Sequence, residues 1–220
     1  MNILIVHAHP YDGSFSKGIL DRTLNLLAQH DNVNIKVKDL CKMDFDFVMR
    51  AENLQSSVTG IFTKEVKAEQ DDILWAETLI TICPVWFGSV PGFMKAYFDK
   101  IFVRGFGYDS QGGRIRGKRI FSIFNFGSID PYVSMVNQYT MIDYQWDNLF
   151  GMVGFSDIVK LHFTGVPKST DEVRANYLLQ VDDFLEKIFS TKVGDIGTAG
   201  NADLITRLAA NGYLNGKPLV

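Results

Sequence analysis

Residues Thr78 to Phe102 join three kinds of segment without a break. Thr78-Leu79-Ile80-Thr81-Ile82 is an apolar, β-branched run of strand length. Cys83-Pro84-Val85-Trp86-Phe87-Gly88-Ser89-Val90-Pro91 reads as a loop, held by prolines and a glycine. From Gly92 to Phe102 the spacing is helical. Met94, Tyr97, Phe98, Ile101 and Phe102 fall at i, i+3, i+4, i+7 and i+8, one apolar stripe. Pro91 stands at the helix's first turn, where proline is tolerated. A strand that feeds directly into a helix is half of a parallel crossover unit. In an open sheet built from such units, ligands bind outside the carboxyl ends of the strands. The aromatic loop falls there. Taken alone, Trp86 and Phe87 serve equally as core aromatics or as walls of a site.

The same alternation recurs along the chain. Asn2 to Val6 is a continuous apolar run, the signature of a strand buried on both faces. It runs into a loop of turn formers and hydroxyls, His7 to Ser16, and then a helix over about Lys17 to Gln29. Val33 to Asp39 alternates apolar and polar, which predicts a half-buried strand at a sheet edge. Met43 to Phe47 reads as a loop packed by its own aromatics, and about Thr63 to Ala76 as a polar helix. Arg104 to Arg114 is a Gly-rich, exposed connection. Arg119 to Phe124 is a fourth strand, ending in the loop Asn125-Phe126-Gly127-Ser128. Val133 to Gly151 reads as one helix, and Asp157 to Phe163 as a fifth strand. Ser169-Thr170-Asp171-Glu172 has the form of a capping box opening a helix to about Phe189. Thr191 to Val220 reads as a tail in which Leu204 to Ala209 has the composition of a short helix.

Five strands alternating with helices predict an α/β fold with a doubly wound, five-stranded parallel sheet over residues 1–190. Right-handed crossovers make the flavodoxin-like order 2-1-3-4-5 the natural solution, with its switch point between strands 1 and 3. The two chemically loaded loops, His7–Ser16 and Pro84–Pro91, follow those two strands. Their coincidence carries more than either loop alone.

Composition narrows the partners. The net charge is −3 and no basic stripe is visible, which speaks against nucleic acid. The apolar runs are too short to span a bilayer, and no signal peptide is visible, so the expectation is a cytoplasmic protein without membrane insertion. Cys41 and Cys83 have no metal or CxxC spacing, and His7 with His9 lacks the further ligands zinc needs, so no metal is expected. Ser14 and Ser16 precede the first helix. They serve as caps there, or as ligands of a phosphate on the helix N-terminus, one role each. His9 reads as a donor to that anion, while His30 and His162 read as structural. Tyr139 and Tyr144 read as packing residues. Neither a Rossmann glycine fingerprint nor a P-loop is present, and no carboxylate pair or nucleophile elbow stands out. An anion loop, an aromatic loop and few acid/base groups suit a cofactor that brings its own chemistry.

Three blocks of residues carry a resemblance: His9 with Ser14-Phe15-Ser16; Pro84 to Lys95; and Phe102 to Tyr108 with Gly113 to Lys118. Together they resemble the NAD(P)H:quinone oxidoreductase family of flavodoxin-like flavoproteins, over about residues 1–190. The resemblance implies a two-electron reductase in which a nicotinamide reduces a flavin and a quinone-like acceptor reoxidises it, in ping-pong order. It implies FAD, with FMN as the alternative, and NAD(P)H as co-substrate. His9, Ser14, Phe15 and Ser16 would hold the phosphate side. Pro84, Val85, Trp86 and Phe87 would line the ring system, and Asn125, Gly127 and Ser128 would close the other side. Tyr108 matches a position near a substrate pocket built at a homodimer interface. The family's Tyr and His that move protons are matched only by Tyr132, because no histidine lies between His30 and His162. Other readings remain beside this one: a flavin-binding accessory subunit of a transport system, a one-electron carrier, or a cofactor-free hydrolase on the same fold.

Overall fold

The structure, a computed structural model, describes residues 1–197. The expected short helix at Leu204 to Ala209 lies outside the described residues. In chain order the first half contains β1 (Asn2–His7), α1 (Phe15–Leu27), β2 (Asn34–Asp39), α2 (Ala51–Thr59), α3 (Lys64–Trp75), β3 (Thr78–Val85) and α4 (Gly92–Ile101). The second half contains a small hairpin, β4 (Tyr108–Asp109) and β5 (Gly112–Gly113), then β6 (Arg119–Phe126), α5 (Asp130–Met135) and α6 (Gln138–Val153). It continues with β7 (Asp157–Phe163), α7 (Asp171–Leu185) and α8 (Lys187–Ser190).

The five long strands are parallel and lie in the order β2-β1-β3-β6-β7, the expected 2-1-3-4-5 arrangement. Alternate residues of β1 face opposite layers, as the pleat requires. Ile3 and Ile5 pack with Ile19 and Leu27 of α1 and Val181 and Leu185 of α7. Leu4 and Val6 pack with Met94, Tyr97 and Phe98 of α4 and Trp146 and Phe150 of α6. The whole predicted stripe of α4 is buried. Between the layers runs a buried polar chain. Trp146 Nε1 donates to Ser122 Oγ at 2.7 Å, and Thr81 Oγ1 donates to the same oxygen at 2.8 Å. It satisfies an indole N–H that would otherwise be costly to bury.

β2 is the expected edge strand, and Met43 to Phe47 is the expected aromatic loop, with Phe45 and Phe47 5.1 Å apart. Several boundaries differ from expectation. β3 runs on to Val85, so Pro84 and Val85 are buried strand residues rather than loop. A proline is admitted there because β1 pairs with β3 only as far as Ile82, leaving that edge of Pro84 free of a ladder bond. β6 likewise runs to Phe126, pairing Asn125 with Pro84, so Asn125 is a strand residue too. The helix expected over Val133 to Gly151 is two, α5 and α6, because Asn137 adopts φ 56° and breaks the run. α2 was not expected. Gly60, with φ 71°, caps its carboxyl end. Thr170 rather than Ser169 caps α7, accepting from the Val173 N–H at 3.3 Å. Val173, expected in the apolar stripe of α7, is exposed. α1 ends at Leu27, so His30 lies beyond it, stacked on Phe189 at 3.6 Å. Among the described residues no helix is long and apolar enough to cross a membrane.

Candidate functional site

α1 leaves β1 on one face of the sheet and α4 leaves β3 on the other, so a crevice opens between the two following loops. His9 of the first loop and Trp86 of the second meet across it, with ring centroids 6.2 Å apart and planes inclined by 64°. Burial holds the His9 imidazole below its ordinary pKa. Its Nδ1 accepts the Tyr11 N–H at 3.1 Å, which leaves Nε2 to carry the proton and donate.

The first turn of α1 divides its work among the residues predicted there. Ser14 is the cap: its Oγ accepts the Lys17 N–H at 3.2 Å, and its carbonyl accepts the Gly18 N–H at 3.1 Å. The N–H groups of Phe15 and Ser16 have no partner among the described residues, so the turn presents two free donors and the positive end of a helix. The Phe15 ring turns inward onto Phe163 and Tyr177, at 6.0 and 6.1 Å, leaving its backbone at the site. Ser16 is fully buried, and its Oγ accepts from Asn125 Nδ2 at 2.8 Å. The same amide donates to the Cys83 carbonyl at 3.2 Å. Asn125 thus clamps the start of α1 to the end of β3.

The second loop is shorter than the sequence suggested. Trp86 and Ser89 exchange backbone hydrogen bonds at 2.8 and 3.1 Å, and the two residues between them have φ 52° and 74°. Positive φ at both positions marks a tight hairpin turn of the primed kind. Gly88 suits it; Phe87 does not, and a phenylalanine in the left-handed region is strained. Phe87 is nevertheless fully exposed and Trp86 is 41% exposed, which rules out the core reading for both. The N–H groups of Phe87 and Gly88 are free among the described residues. α6 backs the turn: a Cβ on Gly88 would come within 2.9 Å of Met141 Cε, and Ser89 Oγ donates to Gln145 Oε1 at 3.0 Å.

After β6, Gly127 is exposed and Ser128 is half-buried, its carbonyl accepting the Gly165 N–H at 2.7 Å. Tyr132 is 46% exposed on α5. Tyr108 is not brought to these loops. Its hairpin packs on the far end of α6, where the Ile115 N–H donates to the Val153 carbonyl at 2.9 Å. Met141, beside the Trp86–Ser89 turn, and Val153 are separated by about 18 Å along the helix at the usual rise. There Tyr108 lines a cavity of about 280 Å³ with Met49, Leu54, Phe98, Phe102 and Leu149.

Two groups near the strand ends escaped the sequence reading as partners. His162 Nε2 lies 2.8 Å from Asp143 Oδ1, and Tyr139 packs on the His162 ring at 5.3 Å while donating to Asp130 Oδ1 at 2.6 Å. Burial and the Asp130 carboxylate push the Tyr139 phenol up to about 12. Tyr139 packs as expected, whereas Tyr144 is exposed, because it falls on the outer face of α6. His7, at the end of β1, is 1% exposed, and neither ring nitrogen has a hydrogen-bond partner among the described residues.

The family model described as "Flavodoxin-like fold" matches residues 1–185. The chain belongs to the flavodoxin-like fold family. Among curated members, it is 31% identical over 138 residues to an uncharacterized NAD(P)H oxidoreductase of Haemophilus influenzae, covering 60% of this chain and 68% of that one. It is 27% identical over 123 residues to an FMN-dependent NADH:quinone oxidoreductase of Nitratidesulfovibrio vulgaris, covering 52% of this chain and 59% of that one. A solved structure of the same fold, the NAD(P)H:quinone oxidoreductase from Methanothermobacter marburgensis, superposes with a TM-score of 0.78 at 21% identity. That match covers 86% of this chain and 97% of the other.

Proposed function

We propose that this chain is a flavin-dependent NAD(P)H oxidoreductase acting on a quinone or similar small acceptor. The observation that carries the reading is the His9–Trp86 contact, which sets an anion-binding helix turn beside an exposed aromatic turn at one switch point. The donor set fits a flavin mononucleotide. The free N–H groups of Phe15 and Ser16 suit a phosphate, with Ser14 and His9 beside them. The free N–H groups of Phe87 and Gly88 suit the carbonyl edge of a flat heterocycle, and Trp86 supplies an aromatic wall. Pro84 and Val85 support this turn from below as the last residues of β3. Asn125 positions both loops through its clamp, and the N–H groups of Gly127 and Ser128, unpaired among the described residues, would close the third side. The earlier preference for FAD finds no support among the relatives, one of which is named for FMN, so FMN is the proposed cofactor.

A bound flavin would supply the hydride chemistry between NAD(P)H and the acceptor. The chain's residues bind, orient and exclude water. Tyr132, half-exposed on α5 after the third strand end, is the proposed proton donor. Tyr108 joins the site only from a second copy, since its own hairpin stands about 18 Å along α6 from the aromatic turn. The exposed Phe87, Met141, Tyr144, Met135 and Ile129 offer apolar surface that such a copy would cover, and this supports a homodimer as the assembly proposed.

Reconstitution with FMN and with FAD tests this. The expected result is a yellow protein bleached by NADH or NADPH and restored by menadione, with parallel double-reciprocal lines and a dimer on gel filtration. A protein that takes up neither flavin would overturn the proposal.

A further inference from the structure

Helix α6 backs the aromatic turn with Met141 and Gln145, and the same stretch carries two further side chains with polar partners, Tyr139 and Asp143. These two stand at i and i+4 and share one face of the helix. Asp143 Oδ1 lies 2.8 Å from His162 Nε2 on β7, and one turn further on Asp147 pairs with Lys160 of the same strand. The two pairs pin α6 to the sheet. The Tyr139 ring is wedged against Phe126 at 5.4 Å and His162 at 5.3 Å, which fixes the direction of its phenol. The hydroxyl donates to Asp130 Oδ1 at 2.6 Å, a length typical of a charge-assisted bond. Burial and that carboxylate push the phenol up to about 12, so it stays protonated and donating throughout the neutral range.

Asp130 is the first residue of α5, and α5 has little else to hold it. A six-residue helix is far below the length that is stable by itself. No side chain caps it, and Val133 is its one buried residue. At its exit Asn137 stands in the left-handed region, so α5 gains no continuity with α6. At its entry the Gly165 N–H donates to the Ser128 carbonyl at 2.7 Å. Among the described residues, Tyr139–Asp130 is the one side-chain hydrogen bond to α5 from outside it. Tyr132 stands on this helix, two residues on from Asp130. The aromatic turn and α5 are thus held by one element, Ser89 by Gln145 and Asp130 by Tyr139.

We propose that Tyr139 is a positioning residue, whose hydrogen bond to Asp130 latches α5 to α6 and so sets Tyr132 at a fixed place relative to the aromatic turn. The inference rests on the flavin reading and deepens it. The bond touches neither the first turn of α1 nor the Trp86–Ser89 turn, so flavin binding does not depend on it. What depends on it is the placement of Tyr132 toward the acceptor, and a group that moves a proton loses rate steeply when it is displaced.

Amide hydrogen exchange of the full-length apo protein tests the latch without a cofactor. Tyr139→Phe keeps the ring against Phe126 and His162 and removes only the hydroxyl. The expected result is exchange about fivefold to tenfold faster over residues 130–136, the worth of one hydrogen bond, with β6 unchanged. Asp130→Ala gives the same change, and the double variant adds nothing to either single one. Asp130 is exposed, so this variant decides the bond should Tyr139→Phe fail to fold. In FMN-loaded protein, Tyr139→Phe lowers kcat/KM for menadione by about threefold or more, while kcat/KM for NAD(P)H and FMN affinity stay within about twofold. Asp130→Asn, whose amide oxygen still accepts, stays closer to the parent than Asp130→Ala in both measures. Unchanged exchange in the single variants overturns the latch. Faster exchange with an unchanged kcat/KM for menadione overturns the positioning role, and the flavin reading stands. If no flavin binds, the flavin reading falls, and exchange alone decides the latch: faster supports it, and unchanged overturns it.

Discussion

Replacing Asn125 by alanine tests how the candidate site is held together. The amide makes two buried hydrogen bonds, to Ser16 Oγ at 2.8 Å and to the Cys83 carbonyl at 3.2 Å, linking β6 to both α1 and β3. A buried hydrogen bond contributes about 1 kcal/mol net, and a stranded partner adds about 1–3 kcal/mol. Asn125→Ala is therefore expected to destabilise the chain by about 2–4 kcal/mol, since Ser16 Oγ is left buried without its donor while Cys83 O keeps its place in the β3–β6 ladder. At about 2–4 °C per kcal/mol for a chain of this size, Tm falls by roughly 4–16 °C. The loss is not only global. The first turn of α1 and the end of β3 are released from each other, so FMN affinity falls by at least tenfold. Urea unfolding gives the stability, and quenching of flavin fluorescence gives the affinity. A double-mutant cycle with Ser16→Ala isolates the shared bond, with an expected coupling of about 1 kcal/mol. Stability within about 0.5 kcal/mol of the parent, the usual range for an inert surface change, would refute the clamp. So would zero coupling with Ser16.

Phe87→Asn keeps the turn and relieves a strained backbone, because asparagine visits the left-handed region at low cost. In dilute apo protein its stability is expected to rise by about 0.5–1 kcal/mol, while acceptor turnover drops with the exposed ring; a less stable dilute variant would show the ring to be packed. The pH dependence of apo stability has a definite sign at His7. Its imidazole is held below its ordinary range in the fold, so below about pH 6.5 the unfolded chain binds the proton first. Stability is fully present above that range and is lost as pH falls through it toward the folded value. Denaturant midpoints at stepped pH check this, and His7→Gln is expected to flatten the acid limb relative to the parent.

The sequence determined the sheet. Strands buried on both faces read as predominantly apolar runs, and Asn2–Val6, Thr78–Ile82 and Arg119–Phe124 are rich in Ile, Leu, Val and Phe, while the alternation of Val33–Asp39 marked an edge. Order followed from handedness, and the switch point followed from order. These are local or generic constraints, legible from spacing alone. What the tertiary structure decided are matters that depend on neighbours distant in sequence. Pro84 continues β3 because β1 stops pairing at Ile82, a fact about another strand's length. Asn125 is a clamp because Ser16, 109 residues away, lies opposite its amide. Tyr108 stands apart from the two loops of its own chain because the hairpin docks on the far end of α6. Trp86 and Phe87 were ambiguous until the turn between Trp86 and Ser89 closed and put both rings outside. His7 reads as one of a histidine pair in the sequence. Only the fold buries it and sets Asp39 at 3.6 Å, and a side chain's protonation depends on such surroundings rather than on its place in the chain.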